Sequence, residues 1–171
     1  MRAVNVGGHK TFRPSLLAGK LAHLAVINIG AAGTFVVPGR QAQSAIRGEF
    51  IKKLPFEAEL MICRGSDVLA LAACDPFPSS KDLRRFVSVM SRRPEKAPHL
   101  PLCQPAGEKW EVKVIGLSGV FALSLWRRFG KSFVDPNAVV ERGCGVRATT
   151  RNWNTILKIC EILRSAGHRL T

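Results

Sequence analysis

The chain contains no tyrosine, no C-x-x-C pair and no apolar run approaching the ~18–20 residues of a membrane-spanning helix. The last absence argues against an integral membrane protein. The segment Met1-Arg2-Ala3-Val4-Asn5 meets Gly7, Gly8, His9 and Lys10 at once, so it lacks the apolar core of a signal peptide, and a cytoplasmic location is expected. The five cysteines (63, 74, 103, 144 and 160) are odd in number and widely spaced, which favours reduced, mostly buried thiols over disulfides or a zinc site. Among them only Cys144, flanked by glycines and near Arg142 and Arg147, is expected to be exposed in an electropositive setting. The four histidines (9, 23, 99 and 168) are isolated, and no H-E-x-x-H, G-x-S-x-G or G-x-G-x-x-G occurs. Gly130-Lys131-Ser132 resembles the end of a phosphate-binding loop, but that loop needs a glycine where Leu125 stands. No metal, no cofactor and no enzyme of familiar mechanism is expected.

Acidic residues are also scarce: 12 against 26 lysines and arginines, a net charge of +14. Residues 1–80 carry 9 basic and 5 acidic side chains, a net of +4, whereas residues 81–171 carry 17 and 7, a net of +10. A field of that sign favours an anionic partner, nucleic acid or a phosphorylated small molecule. The remaining composition is ordinary for a globular chain, 46% apolar and 22% charged over 171 residues, enough for one medium domain or two small ones.

After the glycine turn at 7–8, Pro14 suits a first helical turn, with Leu17, Leu21 and Leu24 as its apolar stripe. Residues 25–29 and 34–37 read as strands joined by a hairpin at Gly30-Ala31-Ala32-Gly33. Ala42, Ile46, Phe50 and Leu54 recur every fourth residue and predict a helix that Pro55 ends. A strand over 57–63 and a short helix capped by Ser66 or Asp67 follow. The order β-α-β-β-α-β is that of a ferredoxin-like plait. Residues 77–82 read as a linker between a first domain at 1–76 and another at 83–171. The latter reads as an irregular copy: a strand at 83–90, a proline-rich stretch at 91–108 that cannot hold a full helix, and strands at 110–115 and 120–126 around Gly116–Gly119. A helix from Pro136, capped by Asp135, then precedes a terminal helix from about Asn152. Thr149 or Thr150 would cap that last helix, and Trp153, Ile156, Leu157, Cys160 and Leu163 would form its buried face.

Three motifs, N-V-G-G-H-K at 5–10, D-P-F at 75–77 and A-T-T-R-N-W-N-T at 148–155, resemble a bacterial family catalogued as domain of unknown function 1697. The resemblance spans nearly the whole chain and implies two ferredoxin-like α/β plaits in tandem. It brings no catalytic residue, because the family has no established activity. The chain departs from the family in a shortened first strand, a hairpin stripped of its polar residues and the proline-rich stretch where the second plait would have a helix.

The candidate anion-binding residues are Asn5, Gly7, Gly8 and Lys10 at the glycine turn, Arg127, Arg128 and Lys131 after the 120–126 strand, and Arg147, Thr150, Arg151 and Asn152 at the last helix start. Free N–H groups and the helix dipole favour an anion there, and Trp153 either stacks on a base or packs in the core. A basic surface forms if the Arg127 group folds beside that helix start. The leading expectation is a non-enzymatic binder of nucleic acid or a phosphorylated ligand, through phosphate contacts without sequence readout. An enzyme of unrecognised class between the halves, using Asn5, Lys10, Arg151 and Asn152, and an assembly domain pairing through an exposed sheet are the alternatives.

Overall fold

The computed structural model describes residues 1–2, 12–80, 82–128 and 133–167. It is a mixed α+β protein with a two-stranded and a five-stranded antiparallel sheet. In chain order the elements are α1 (Pro14–Lys20), a 3-10 turn (Ala22–Leu24), β1 (Ile27–Ile29), β2 (Thr34–Val36), α2 (Gln43–Lys53), α3 (Gly65–Ala73), β3 (Arg84–Met90), β4 (Leu102–Gln104), β5 (Val112–Ser118), β6 (Phe121–Trp126), α4 (Pro136–Cys144), β7 (Ala148–Asn152) and α5 (Trp153–Ser165). No helix among the described residues is long and apolar enough to cross a membrane.

The expected hairpin forms, with Ile27 opposite Val36 and positive φ at both Gly30 and Gly33. Residues 57–63 differ from expectation. Side chains from Leu54 to Leu60 alternate between exposed and covered, as in a strand, yet the segment joins no ladder among the described residues. Its backbone is touched instead by the Arg2 N–H, which donates to the Glu59 carbonyl at 3.0 Å. The next helix starts at Gly65 with no side-chain cap, so Ser66 and Asp67 lie within its first turn rather than before it.

The large sheet has the order β4-β5-β6-β3-β7. A two-residue turn at Gly119 and Val120 joins β5 to β6, so Gly116 lies inside a strand, at a register shift, rather than in the loop. β4 is an edge strand inside the proline-rich stretch, which otherwise has no regular structure, as its prolines require. Both faces of the sheet are covered. Val87, Phe121, Leu123 and Leu125 meet α5, α3 and the hairpin on one side. Met90, Val112, Val114 and Ala122 meet Val139, Val140 and Cys144 of α4 on the other. All six residues of β6 are buried in consequence. A third cluster, around Leu17, Leu21, Phe50 and Leu60, packs α1 and α2 over the 54–60 segment.

Three further expectations do not hold in the fold. Thr149 and Thr150 do not cap α5; β-branched and edge-placed, they are strand residues paired with Val89 and Ser88. The cap is Asn152, whose Oδ1 accepts the Thr155 N–H at 2.8 Å. Leu157 is 39% exposed, because α5 turns Ile156, Cys160 and Leu163 inward with Ile159 and Ile162 at their flanks. Cys144 is buried against β4 and α4 neighbours, and desolvation raises its pKa, the opposite of an activated thiol.

Candidate functional site

The sheet register decides where the basic residues stand. β6 and β7 both run antiparallel to β3, so both finish at the end of the sheet where β3 begins. Trp126 is opposite Arg84 and Asn152 is opposite Phe86. The chain after β6 and the start of α5 therefore share one end of the sheet, separated by β3. Asn5, Gly7, Gly8, Lys10 and Lys131 lie outside the described residues.

The residues at the β7 edge are engaged within the protein. Arg151 donates from Nε to Thr34 Oγ1, from Nη1 to Thr149 Oγ1 at 2.9 Å and the Thr150 carbonyl at 2.7 Å, and from Nη2 to the Met1 and Ala32 carbonyls at 3.0 and 2.7 Å. A guanidinium has five N–H groups, and these five bonds use them all. Burial lowers the Arg151 pKa without changing its charge at neutral pH. Thr150 Oγ1 donates to Asn137 Oδ1 at 3.1 Å and lies 2.7 Å from Ser88 Oγ. Arg147 is exposed, with Nε 3.8 Å from a Glu59 carboxylate oxygen. Trp153 sits in the core, its ring edge-on to Phe77 with centroids 5.0 Å apart, so it is not available to stack on a base.

The other basic group has a different setting. Between the start of β3, the end of β6 and the chain entering α4 runs a surface groove lined by Leu83, Arg84, Trp110, Trp126, Arg127, Arg128 and Phe133, with Ser80 and Asp82 at its margin. Phe133 is 72% exposed and tilts over Trp126, with centroids 6.0 Å apart at 48°. The Arg84 guanidinium lies 5.2 Å from the Trp126 ring centre, and that of Arg127 lies 4.0 Å from the Trp110 ring centre. Arg127 Nε also donates to the Trp110 carbonyl at 2.8 Å, which holds the stacked pair in place. Arg128 is exposed beside them. Trp126 is 8% exposed, and its indole N–H finds no hydrogen-bond partner among the described residues. Three arginines and one carboxylate, Asp82, are among the lining residues, and the buried Glu111 accepts the Val134 N–H at 3.3 Å.

Compared with protein-family models, with curated proteins and with solved structures, the chain matches none.

Of the groove residues, Arg127 and Arg128 are among the candidate anion-binding residues, and the Arg84-Arg85 pair is one of the basic clusters that suit phosphate contacts. Arg84 was visible as half of the Arg84-Arg85 pair, but nothing local connects it to a tryptophan 42 positions later. Trp110 and Phe133 carried no sequence signal, because aromatic residues outside a repeating pattern usually belong to a core. Among the described residues no group of three or more histidine, cysteine, aspartate or glutamate side chains could hold a metal ion.

Proposed function

We propose that the protein is a non-enzymatic binder of an anionic partner, single-stranded nucleic acid first, and that the groove at the β3/β6 end of the sheet is the contact surface. The observation that carries this reading is the pairing of an exposed aromatic ring, Phe133, with three arginines set around Trp110 and Trp126. The exposed Phe133 ring, with arginine cations beside it, suits a base stacked on its open face with its phosphates alongside. A duplex offers phosphates but no free base face, so it engages the arginines alone. The burial of both faces of β6 argues against base stacking on the open sheet and against assembly through it.

The finer fold reading belongs to the same proposal. The order β5-β6-β3-β7, all antiparallel, supports residues 83–171 as a ferredoxin-like plait whose first helix is replaced by the proline-rich stretch. β4 would then be an added edge strand. Tandem plaits, and membership of the family named above, rest on the three motifs and on the helix and hairpin order of residues 12–76.

The test is a salt titration of binding to labelled single-stranded RNA and to duplex DNA. The expected result is log-linear weakening with salt for both, with a shallower slope when Arg84 and Arg128 are changed to Ala. Absence of binding at low salt would overturn the nucleic-acid reading.

A further inference from the structure

A second site lies inside the molecule, on the far side of β7 from α4 and independent of the groove. The hairpin, α2, the 60–63 segment, α3 and α5 line, with β3 and β6, a partly open cavity of about 190 Å³. Its wall is apolar over most of its extent, with Phe35, Phe50, Leu60, Val68, Ile156 and Leu163 among the lining side chains. The polar groups that reach it are Thr34, Cys63, Thr149, Arg151 and the Met1 amine. None of the charged candidates offers a ligand a free ionic bond. All five Arg151 N–H groups are already given to neutral oxygens of Thr34, Thr149, Thr150, Met1 and Ala32. The Met1 backbone nitrogen is committed to the Gly33 carbonyl, to which it donates at 2.9 Å. Burial, with Asp67 nearby, pushes the Cys63 thiol up to about 11, so it stays protonated.

A cavity of this kind selects against ions of either sign. A carboxylate entering it loses its hydration, a cost of several kcal/mol, and finds no N–H of Arg151 to replace it. A cation meets the fixed guanidinium charge, and no carboxylate is among the described lining residues. A neutral apolar molecule carries no such desolvation cost and gains dispersion contacts with the apolar wall. An engineered apolar cavity of about 150 Å³ in another protein stays dry and binds benzene. We propose that the space between α3, α5 and β2 is a binding site for a small, neutral, apolar molecule of about benzene to indole size.

The experiment is an NMR titration of the isotopically labelled full chain with benzene, indole, benzoate and benzylammonium. The neutral probes are expected to give saturable shifts at cavity residues, with Kd on the order of 0.1–1 mM, within the efficiency limit for ligands this small. The charged probes should bind at least about tenfold more weakly, from the desolvation cost they carry. Val68→Phe, which places a ring in the cavity, should abolish binding in a folded protein; Leu71→Phe is the alternative variant should the first not fold. The proposal is overturned if neither neutral probe saturates, if benzoate binds as tightly as benzene, or if a folded filling variant binds indole undiminished. Should neither variant fold, the comparison of charged with neutral probes on the native chain decides it.

Discussion

Arg84 and Arg151 stand near the same end of one sheet, on the adjacent strands β3 and β7. Arg151, on the edge strand β7, is turned inward and ties together Met1, the β1–β2 hairpin and its own strand. Arg84, at the first position of β3, is exposed and lies over a tryptophan beside an exposed phenylalanine. The same difference separates two aromatic residues, Trp153 sealed against Phe77 and Phe133 open to solvent. Positive charge alone therefore does not mark a binding surface. What distinguishes the groove is an open ring, Phe133, beside the exposed side chains of Arg84 and Arg128.

The comparison can be broken first at Arg151. Arg151→Met keeps the bulk of the side chain but leaves the Met1, Ala32 and Thr150 carbonyls short of a donor, and we expect a loss of about 3–5 kcal/mol in urea unfolding. A loss below about 1 kcal/mol would mean that the network is not structural.

Glu141 sharpens the same point on the acidic side. It accepts from Arg2 at 2.7 and 2.9 Å and from the Ala148 N–H at 2.8 Å, which joins the chain start to α4 and β7. Desolvation acts to raise its pKa, yet the Arg2 bonds, the Ala148 N–H and the nearby Arg147 charge together hold it below the usual value. A carboxyl with a depressed folded pKa contributes stability that is present above its unfolded pKa and is lost as pH falls through the folded one. Unfolding titrations should show native stability dropping below about pH 4.5, the ordinary range of a glutamate. Glu141→Gln should be less stable at pH 7 by about 1–3 kcal/mol and flatter in acid. A parallel pH profile in the variant would remove Glu141 from this role.

Asn152 gives the smallest effect. Asn152→Ala removes the cap of α5 and should cost about 1 kcal/mol in thermal unfolding, with no change in RNA binding. A drop in RNA affinity at unchanged stability would move the binding surface toward the helix start.

Much of the fold was legible locally, and the failures share one cause. The Gly30–Gly33 hairpin and α4 with its Asp135 cap and Pro136 were readable because turn and cap chemistry act within four residues, and α2 because apolar residues recur every fourth position before Pro55. Thr149-Thr150 before a helix reads equally well as a cap, and only pairing with Val89 and Ser88, about 60 residues earlier, makes it a strand. Leu157 fits the apolar period of α5, but which of two adjacent apolar positions faces inward depends on where α3 and the sheet lie. β4 has three residues among prolines and no periodicity to detect. At the candidate site, basic charge after β6 was legible, whereas the groove was not: it exists only because the β3–β6 register sets Arg84 beside Trp126 and the chain returns to bring Phe133 over that ring.

The most direct test of the whole account measures single-stranded RNA affinity at one low salt concentration for the native chain, Phe133→Ala and Arg147→Ala, with unfolding recorded for each. Phe133 is exposed, and Arg147 is exposed with a long 3.8 Å ion pair to Glu59, so both variants should keep their stability within about 0.5 kcal/mol. The account predicts about a tenfold or greater loss of affinity for Phe133→Ala, the scale of one stacked base, and a loss for Arg147→Ala no larger than that of one distant charge. Equal losses in the two variants, or a larger loss for Arg147→Ala, would contradict it.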